Sequence, residues 1–170
     1  MTIGLIAALL AVAAALTAVA VRWRRPRIDS RHRVNRILVP FTGGALDSTV
    51  LNAAIRIARA EDAKLVPAYL IVVPLEQPED AAMQQQVTVA MPLLEAIEHA
   101  ALRAGVPVDA RIESGRTPIH ALKRLWDVES FDRIVVPAPV GRSPGFTPKD
   151  LTWMLTHAPS QTLILRPDPV

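Results

Sequence analysis

Cysteine is absent from all 170 residues. Its absence excludes disulfides, thiolate catalysis and cysteine-based zinc sites, and it suits a reducing compartment. Histidine is scarce. His32, His99, His120 and His157 show no ligand spacing, so they read as surface or capping residues and no metal site is expected. No carboxylate pair stands at motif spacing, and no serine, histidine and acid form a recognisable nucleophilic set. The chain is therefore read as a non-enzyme.

Charge is missing from one long stretch. Ile3 to Val21 is 19 residues without a charged side chain, and Thr17 is its only polar one. As a helix it would cover about 28 Å, close to a hydrocarbon core of ~30 Å. A cleaved signal peptide is the alternative, with small-residue sites such as Ala13-Ala14-Ala15. However, no basic residue precedes the run, and it exceeds the usual signal-peptide core of about 7–15 residues. The charges follow instead, at Arg22, Arg24, Arg25, Arg27, Arg31, Arg33 and Arg36, against the single acid Asp29. Positive residues flank the cytoplasmic end of a span. The sequence thus predicts a transmembrane anchor over 1–21, a basic juxtamembrane linker over 22–35 and a cytoplasmic domain over 36–170, in a single-pass protein of the cell membrane. Residues 3–27 would contact lipid, with Trp23 in the headgroup layer.

That collar also explains a pI of 9.9. Nineteen basic residues less seven, and sixteen acidic residues less one, leave twelve against fifteen for 37–170. The remainder is mildly acidic, so no nucleic-acid partner is expected.

From residue 36 onward, strand and helix patterns alternate. Arg36 to Phe41 is a short apolar run ended by Thr42-Gly43-Gly44, a buried strand and a turn. Asp47 or Ser48 can cap a helix over about 48–60. Leu65 to Val73 reads as a strand buried on both faces, and Pro74 to Asp80 as a loop. Residues 81–104 read as helix, with Pro92 expected to kink or break it and Gly105 closing it. Pro107 to Glu113 alternates like an edge strand. A helix over Thr117 to Trp126, a strand over Arg133 to Val136, a Pro/Gly-rich loop over 137–148, a helix over 149–156 and a strand over 161–166 complete the pattern. Strands separated by helices imply right-handed crossovers and a parallel α/β sheet with helices on both faces. Ligands bind such sheets beyond the carboxyl ends of the strands, where the strand order reverses.

Two loops could bind there. Thr42, Gly43 and Gly44 would let backbone amides approach a phosphate at a helix N-terminus. Gly141, Arg142, Ser143, Gly145 and Thr147 could cradle an anion with glycines, a guanidinium and hydroxyls. A capped β-to-α turn and a proline-stiffened surface loop are the structural alternatives.

These segments resemble the universal stress protein family. The resemblance is carried by Arg36-Ile37-Leu38-Val39-Pro40-Phe41, by Phe131-Asp132-Arg133-Ile134-Val135-Val136, by Gly141-Arg142-Ser143 with Gly145, and by His157-Ala158-Pro159 before Gln161 to Arg166. It runs over about residues 35–167. It implies a Rossmann-like five-stranded parallel sheet of order 3-2-1-4-5, a homodimer through the last strand, and in many members ATP held between the first-strand loop and the glycine loop. Three positions depart from the nucleotide-binding branch. Thr42 stands where that branch has Asp, Pro137 where it has the first glycine, and Pro148-Lys149 near its later Gly-Ser pair. Lys149 could return a positive charge. Thr42 to Val50 also resembles the SGGxDS loop of ATP pyrophosphatases, with one extra residue before Asp47. The sequence therefore leaves three readings: a membrane-anchored regulatory module binding an adenine nucleotide such as ATP, a ligand-free scaffold serving a membrane-protein client, and an adenylating enzyme.

Overall fold

Residues with no polar side chain and neighbours on both sides can only form a strand at the centre of a sheet. This is the situation of β1 (Arg36–Phe41), whose Ile37, Leu38 and Val39 are fully buried. The computed structural model describes residues 34–43, 46–76, 79–139 and 145–166. After β1 come α1 (Ser48–Glu61), β2 (Lys64–Val72), α2 (Glu79–Arg103), β3 (Arg111–Gly115), α3 (Pro118–Val128), β4 (Arg133–Pro137), α4 (Pro148–His157) and β5 (Gln161–Leu165). The strands form one parallel sheet of order β3-β2-β1-β4-β5, as expected. The candidate membrane span over residues 3–21 lies outside the described residues. Among those described, no helix is long and apolar enough to cross a membrane.

Side chains alternate across the sheet and build two cores. Ile37, Val39, Phe41, Leu65, Tyr69 and Ile71 pack against Val50, Ala54 and Ala58 of α1 and Leu94, Ile97 and Ala101 of α2. Leu38, Val66, Leu70, Ile134 and Val136 pack on the other face against Leu122 and Leu125 of α3 and Met154 of α4. Each fully buried large aliphatic contributes about 1.5–3 kcal/mol.

Three local expectations need correction. Helix α2 starts at Glu79, inside the segment read as a loop. It also runs unbroken through Pro92. Thr88 and Pro92 are both exposed, so the backbone bond that proline removes falls on the face open to water, while Ala90, Leu94 and Ile97 hold the other face. The edge strand is β3, four residues later than the alternation over 107–113 suggested. Around Pro107 the pairing is irregular: Leu65 N–H donates to Pro107 O (2.9 Å), Asp109 N–H donates to Leu65 O (3.0 Å), and a regular ladder resumes only at Arg111.

The amino ends of the strands are tied by ions. Asp132 Oδ2 accepts from the amides of Asn35 and Arg36, both at 2.9 Å. Arg36 lies over the Phe131 ring at 4.9 Å and pairs with Glu129. Arg111 donates from Nε to Glu129 Oε1 at 2.5 Å and also pairs with Asp109. This holds the Glu129 carboxyl below the ordinary carboxylate range, chiefly through Arg111 and then Arg36, against the opposing pull of burial.

Two outcomes are expected. A depressed carboxylate stabilises the fold above its unfolded pKa, and that contribution disappears as pH falls through the lower folded value. Glu129→Gln should therefore cost about 1–2 kcal/mol at pH 7, and urea titrations should show the gap to wild type closing only below about pH 4.5, the ordinary value. A gap that is constant with pH would contradict the assignment. Gly115 ends β3 where α3 approaches closely: a Cβ there would meet Ala121 N at 2.5 Å and Ala121 Cα at 2.9 Å. Gly115→Ala should cost about 1–3 kcal/mol. Gly145→Ala, with nothing within 4 Å, should stay within about 0.5 kcal/mol.

Candidate functional site

Strand order reverses between β1 and β4. The chain leaves β1 toward β2 and β3, then crosses back to place β4 on its other side. Strand β1 pairs with β2 over all six residues from Arg36↔Lys64 to Phe41↔Tyr69. Its register with β4 holds Ile37↔Arg133 and Leu38↔Ile134, both at the amino ends. No ladder pair joins Val39–Phe41 to Val135–Pro137, so pairing lapses toward the carboxyl edge. This is where a crevice is expected in a doubly wound sheet.

One wall is the loop after β1. Thr42 is half-buried and Gly43 adopts φ +81°, a left-handed conformation that favours glycine. Gly44 lies outside the described residues. Asp47 then caps α1, its Oδ1 accepting from Thr49 N–H at 2.8 Å and Val50 N–H at 3.2 Å. Two of the amides that a phosphate would use are thus already satisfied, by a carboxylate. Beneath this loop Phe41 packs edge-on against Tyr69, with centroids 5.4 Å apart. Burial pushes the Tyr69 phenol up, so it remains neutral at physiological pH.

The loop after β4 forms the other wall. Ala138 N–H donates to Leu165 O at 2.7 Å and fastens the start of the loop to β5. Gly141, Arg142 and Ser143 lie outside the described residues. Phe146, 2% exposed, anchors the return of the loop in the core against α3 and α4. Thr147 caps α4 in a reciprocal box: its Oγ1 accepts from Asp150 N–H at 3.2 Å, and its own N–H donates to Asp150 Oδ2 at 2.8 Å. The hydroxyl also donates to Asp150 Oδ2 at 2.7 Å. Pro148 occupies the first turn, where it offers no amide. Thr147 is therefore fully engaged as a cap.

Thr42, Gly43, Gly145 and Thr147 all fall at the carboxyl edge, on the loops after β1 and β4. Sequence reasoning missed three residues that shape it. Asp150 was legible as the fourth member of a T-x-x-D capping pattern. Phe146 is an isolated aromatic with no periodicity to mark it. Arg116, after β3, donates from Nη1 to Pro74 O at 2.6 Å and ties two loops together, a long-range contact with no local signal. His120 Nδ1 accepts from Arg116 N–H at 3.3 Å, a capping role. Among the described residues no group of three His, Asp or Glu could hold a metal ion.

A family model described as the universal stress protein family matches residues 33–143. The chain belongs to the universal stress protein family. Solved members share its fold. A universal stress protein in complex with cAMP matches at a TM-score of 0.60 and 22% identity, over 80% of this chain and 99% of that one. The universal stress protein UspA from Lactobacillus plantarum matches at 0.59 and 19%, over 79% and 99%. A family protein from Arabidopsis thaliana with AMP bound matches at 0.51 and 16%, over 79% and 92%. No curated protein matches the chain.

Asp47→Ala removes the cap and should lower stability by about 1 kcal/mol. Asp47→Asn should keep stability within a few tenths of a kcal/mol, because Asn caps as well as Asp. Guanidinium titrations of the three proteins would check this; equal losses for both variants would show that the charge, and not the cap, matters.

Proposed function

We propose that this universal-stress-protein domain is a non-catalytic regulatory module, tethered to the membrane by residues 3–21, that binds an adenine mononucleotide in the crevice between the loops after β1 and β4. The observation that carries the reading is the lapse of β1–β4 pairing at the carboxyl edge, flanked by the positive-φ turn at Gly43 and the loop anchored by Phe146. The neighbours described with cAMP and with AMP support the adenine nucleotide.

A single phosphate suits these walls better than three. Asp47 and Asp150 occupy both helix N-termini that flank the crevice, and Pro148 supplies no donor. A polyphosphate would bring further negative charge against two carboxylates and find fewer free amides. ATP is thus the weaker ligand in this reading. Gly44, Gly141, Arg142 and Ser143 would complete the phosphate contacts.

The same features favour a second reading, a ligand-free scaffold for a membrane-protein client, because Thr42, Pro137 and Pro148 all depart from the nucleotide-binding pattern. The adenylating reading is the weakest, since Asp47 of the SGGxDS-like loop serves as a helix cap. In either leading reading β5, an edge strand whose Thr162 to Leu165 are only half-buried, offers a surface for a homodimer. The tether would raise the local concentration of the domain near membrane clients.

Thermal unfolding of the full chain in detergent decides between binder and scaffold. AMP or cAMP at a hundred times its Kd should stabilise by about 2.7 kcal/mol, a rise in Tm of roughly 5–10 °C for a chain of this size, and Mg-ATP should shift it less. No shift with any of the three at millimolar concentration would leave the scaffold.

A further inference from the structure

The strands of this sheet end at different heights. Phe41, the last residue of β1, stands level with Tyr69, but β2 runs on to Val72 and stays paired with β3 as far as Val72↔Gly115. Val73 N–H then donates to Gly115 O at 3.0 Å. At about 3.3 Å per residue, the β2–β3 pair rises roughly 10 Å above the end of β1. Strand β4 gains no such height. Three residues past Leu38↔Ile134 lie Phe41 and Pro137, the last residues of their strands. The carboxyl edge is therefore a step, with the ends of β1 and β4 as its floor and β2 with β3 as its riser.

The turn at the top of the riser is Pro74-Leu75-Glu76, and all three residues are exposed. Their own packing does not hold them in place. A strap from the next loop does: Arg116 Nη1 donates to Pro74 O at 2.6 Å, across 42 positions of sequence. The root of that strap is itself fixed at the start of α3. Arg116 N–H donates to His120 Nδ1 at 3.3 Å, and His120 N–H donates to Thr117 Oγ1 at 3.1 Å. A guanidinium thus steadies the turn that carries Leu75, which is 79% exposed, at the ligand edge of the sheet. A single exposed leucine is ordinary. One carried on a strapped turn above a step has a fixed place from which to meet a ligand.

The dimensions of the step suit a mononucleotide. The glycines that let backbone approach a phosphate stand on the loops after β1 and β4, so the phosphate belongs on that side. Strand β2 lies two strand spacings from β4, about 10 Å. A mononucleotide laid across the end of β1 therefore brings its base to the riser.

We infer that Leu75 covers one face of the base of a bound mononucleotide, and that Arg116 is the positioning residue that holds Leu75 there through Pro74. The inference rests on the nucleotide reading of the crevice and deepens it. It makes selectivity depend on flat apolar surface, so a purine mononucleotide is preferred to a pyrimidine one, and both to a ribose phosphate without a base.

Leucine methyl spectra of the full chain in detergent test this, with the Leu75 signals identified by their loss in Leu75→Met. A purine shields protons that lie over its face. Saturating AMP should therefore move the Leu75 methyls upfield, whereas Leu102 and Leu155 at the opposite edge should not move. Ribose 5-phosphate should leave Leu75 where it is. Leu75→Ala should weaken AMP binding about fivefold, since each methylene kept from water is worth roughly a factor of four, and should weaken UMP binding less. Arg116→Gln should weaken AMP binding and diminish the Leu75 shift, and Arg116→Lys, which keeps a donor for Pro74 O, should restore both. A purely structural arginine would leave the Leu75 shift intact once AMP is saturating, and that result would overturn its positioning role. Crevice amides that respond to AMP while Leu75 stays unmoved, or unchanged AMP affinity in Leu75→Ala, would overturn the inference and leave the nucleotide reading standing. No response to AMP anywhere in the domain would remove both.

Discussion

Strand β1 is hydrogen-bonded on both sides, and the chain passes from it first one way and then back across it. That arrangement dictates most of the molecule's layout. It forces Ile37, Leu38 and Val39 out of water, because helices cover both faces of the sheet. It makes the carboxyl end of β1 the point where two crossovers part, which is where a doubly wound sheet is expected to take a ligand. It also sends every helix C-terminus to the opposite edge.

The two edges are consequently different in chemistry. The amino edge is built from guanidinium and carboxylate groups that bridge elements distant in sequence: Arg36 reaches Glu129, and Arg133 reaches Glu61 and Gln161. The carboxyl edge is built from short-range caps, Asp47 on α1, Thr117 on α3 and Thr147 with Asp150 on α4. Long-range ionic ties lock the end at which the strands begin. Local caps stiffen the starts of α1, α3 and α4, and in the proposed function the carboxylates of Asp47 and Asp150 limit how much negative charge a ligand can carry.

Much of the fold was legible because its signals are local. The buried runs at 36–41 and 133–136, the Asp47 cap and the Thr117-Pro118 helix start each follow from residue type and neighbour. The errors arose where tertiary context overrode local preference. Pro92 sits on the wet face of a helix whose other face is well packed, so it does not break α2. Pro107 diverts the pairing of the segment before β3, so alternation marked the strand four residues early. The candidate site was legible in part: Gly43 and Thr147 stand at the carboxyl edge of the sheet, but the anchoring of Phe146 and the Arg116–Pro74 bond depend on contacts between distant segments. Thr147 was picked for its hydroxyl, whereas the structure commits that hydroxyl to Asp150.

The central claim is that the crevice between β1 and β4 is the ligand site, and amide chemical shifts of the nitrogen-15-labelled full chain during an AMP titration test it most directly. The account predicts saturable shifts concentrated in residues 42–50 and 138–150, with the amino-edge amides of Asn35, Arg36, Lys64 and Arg133 unmoved. Shifts centred on the amino edge, or none anywhere at saturating AMP, would contradict it.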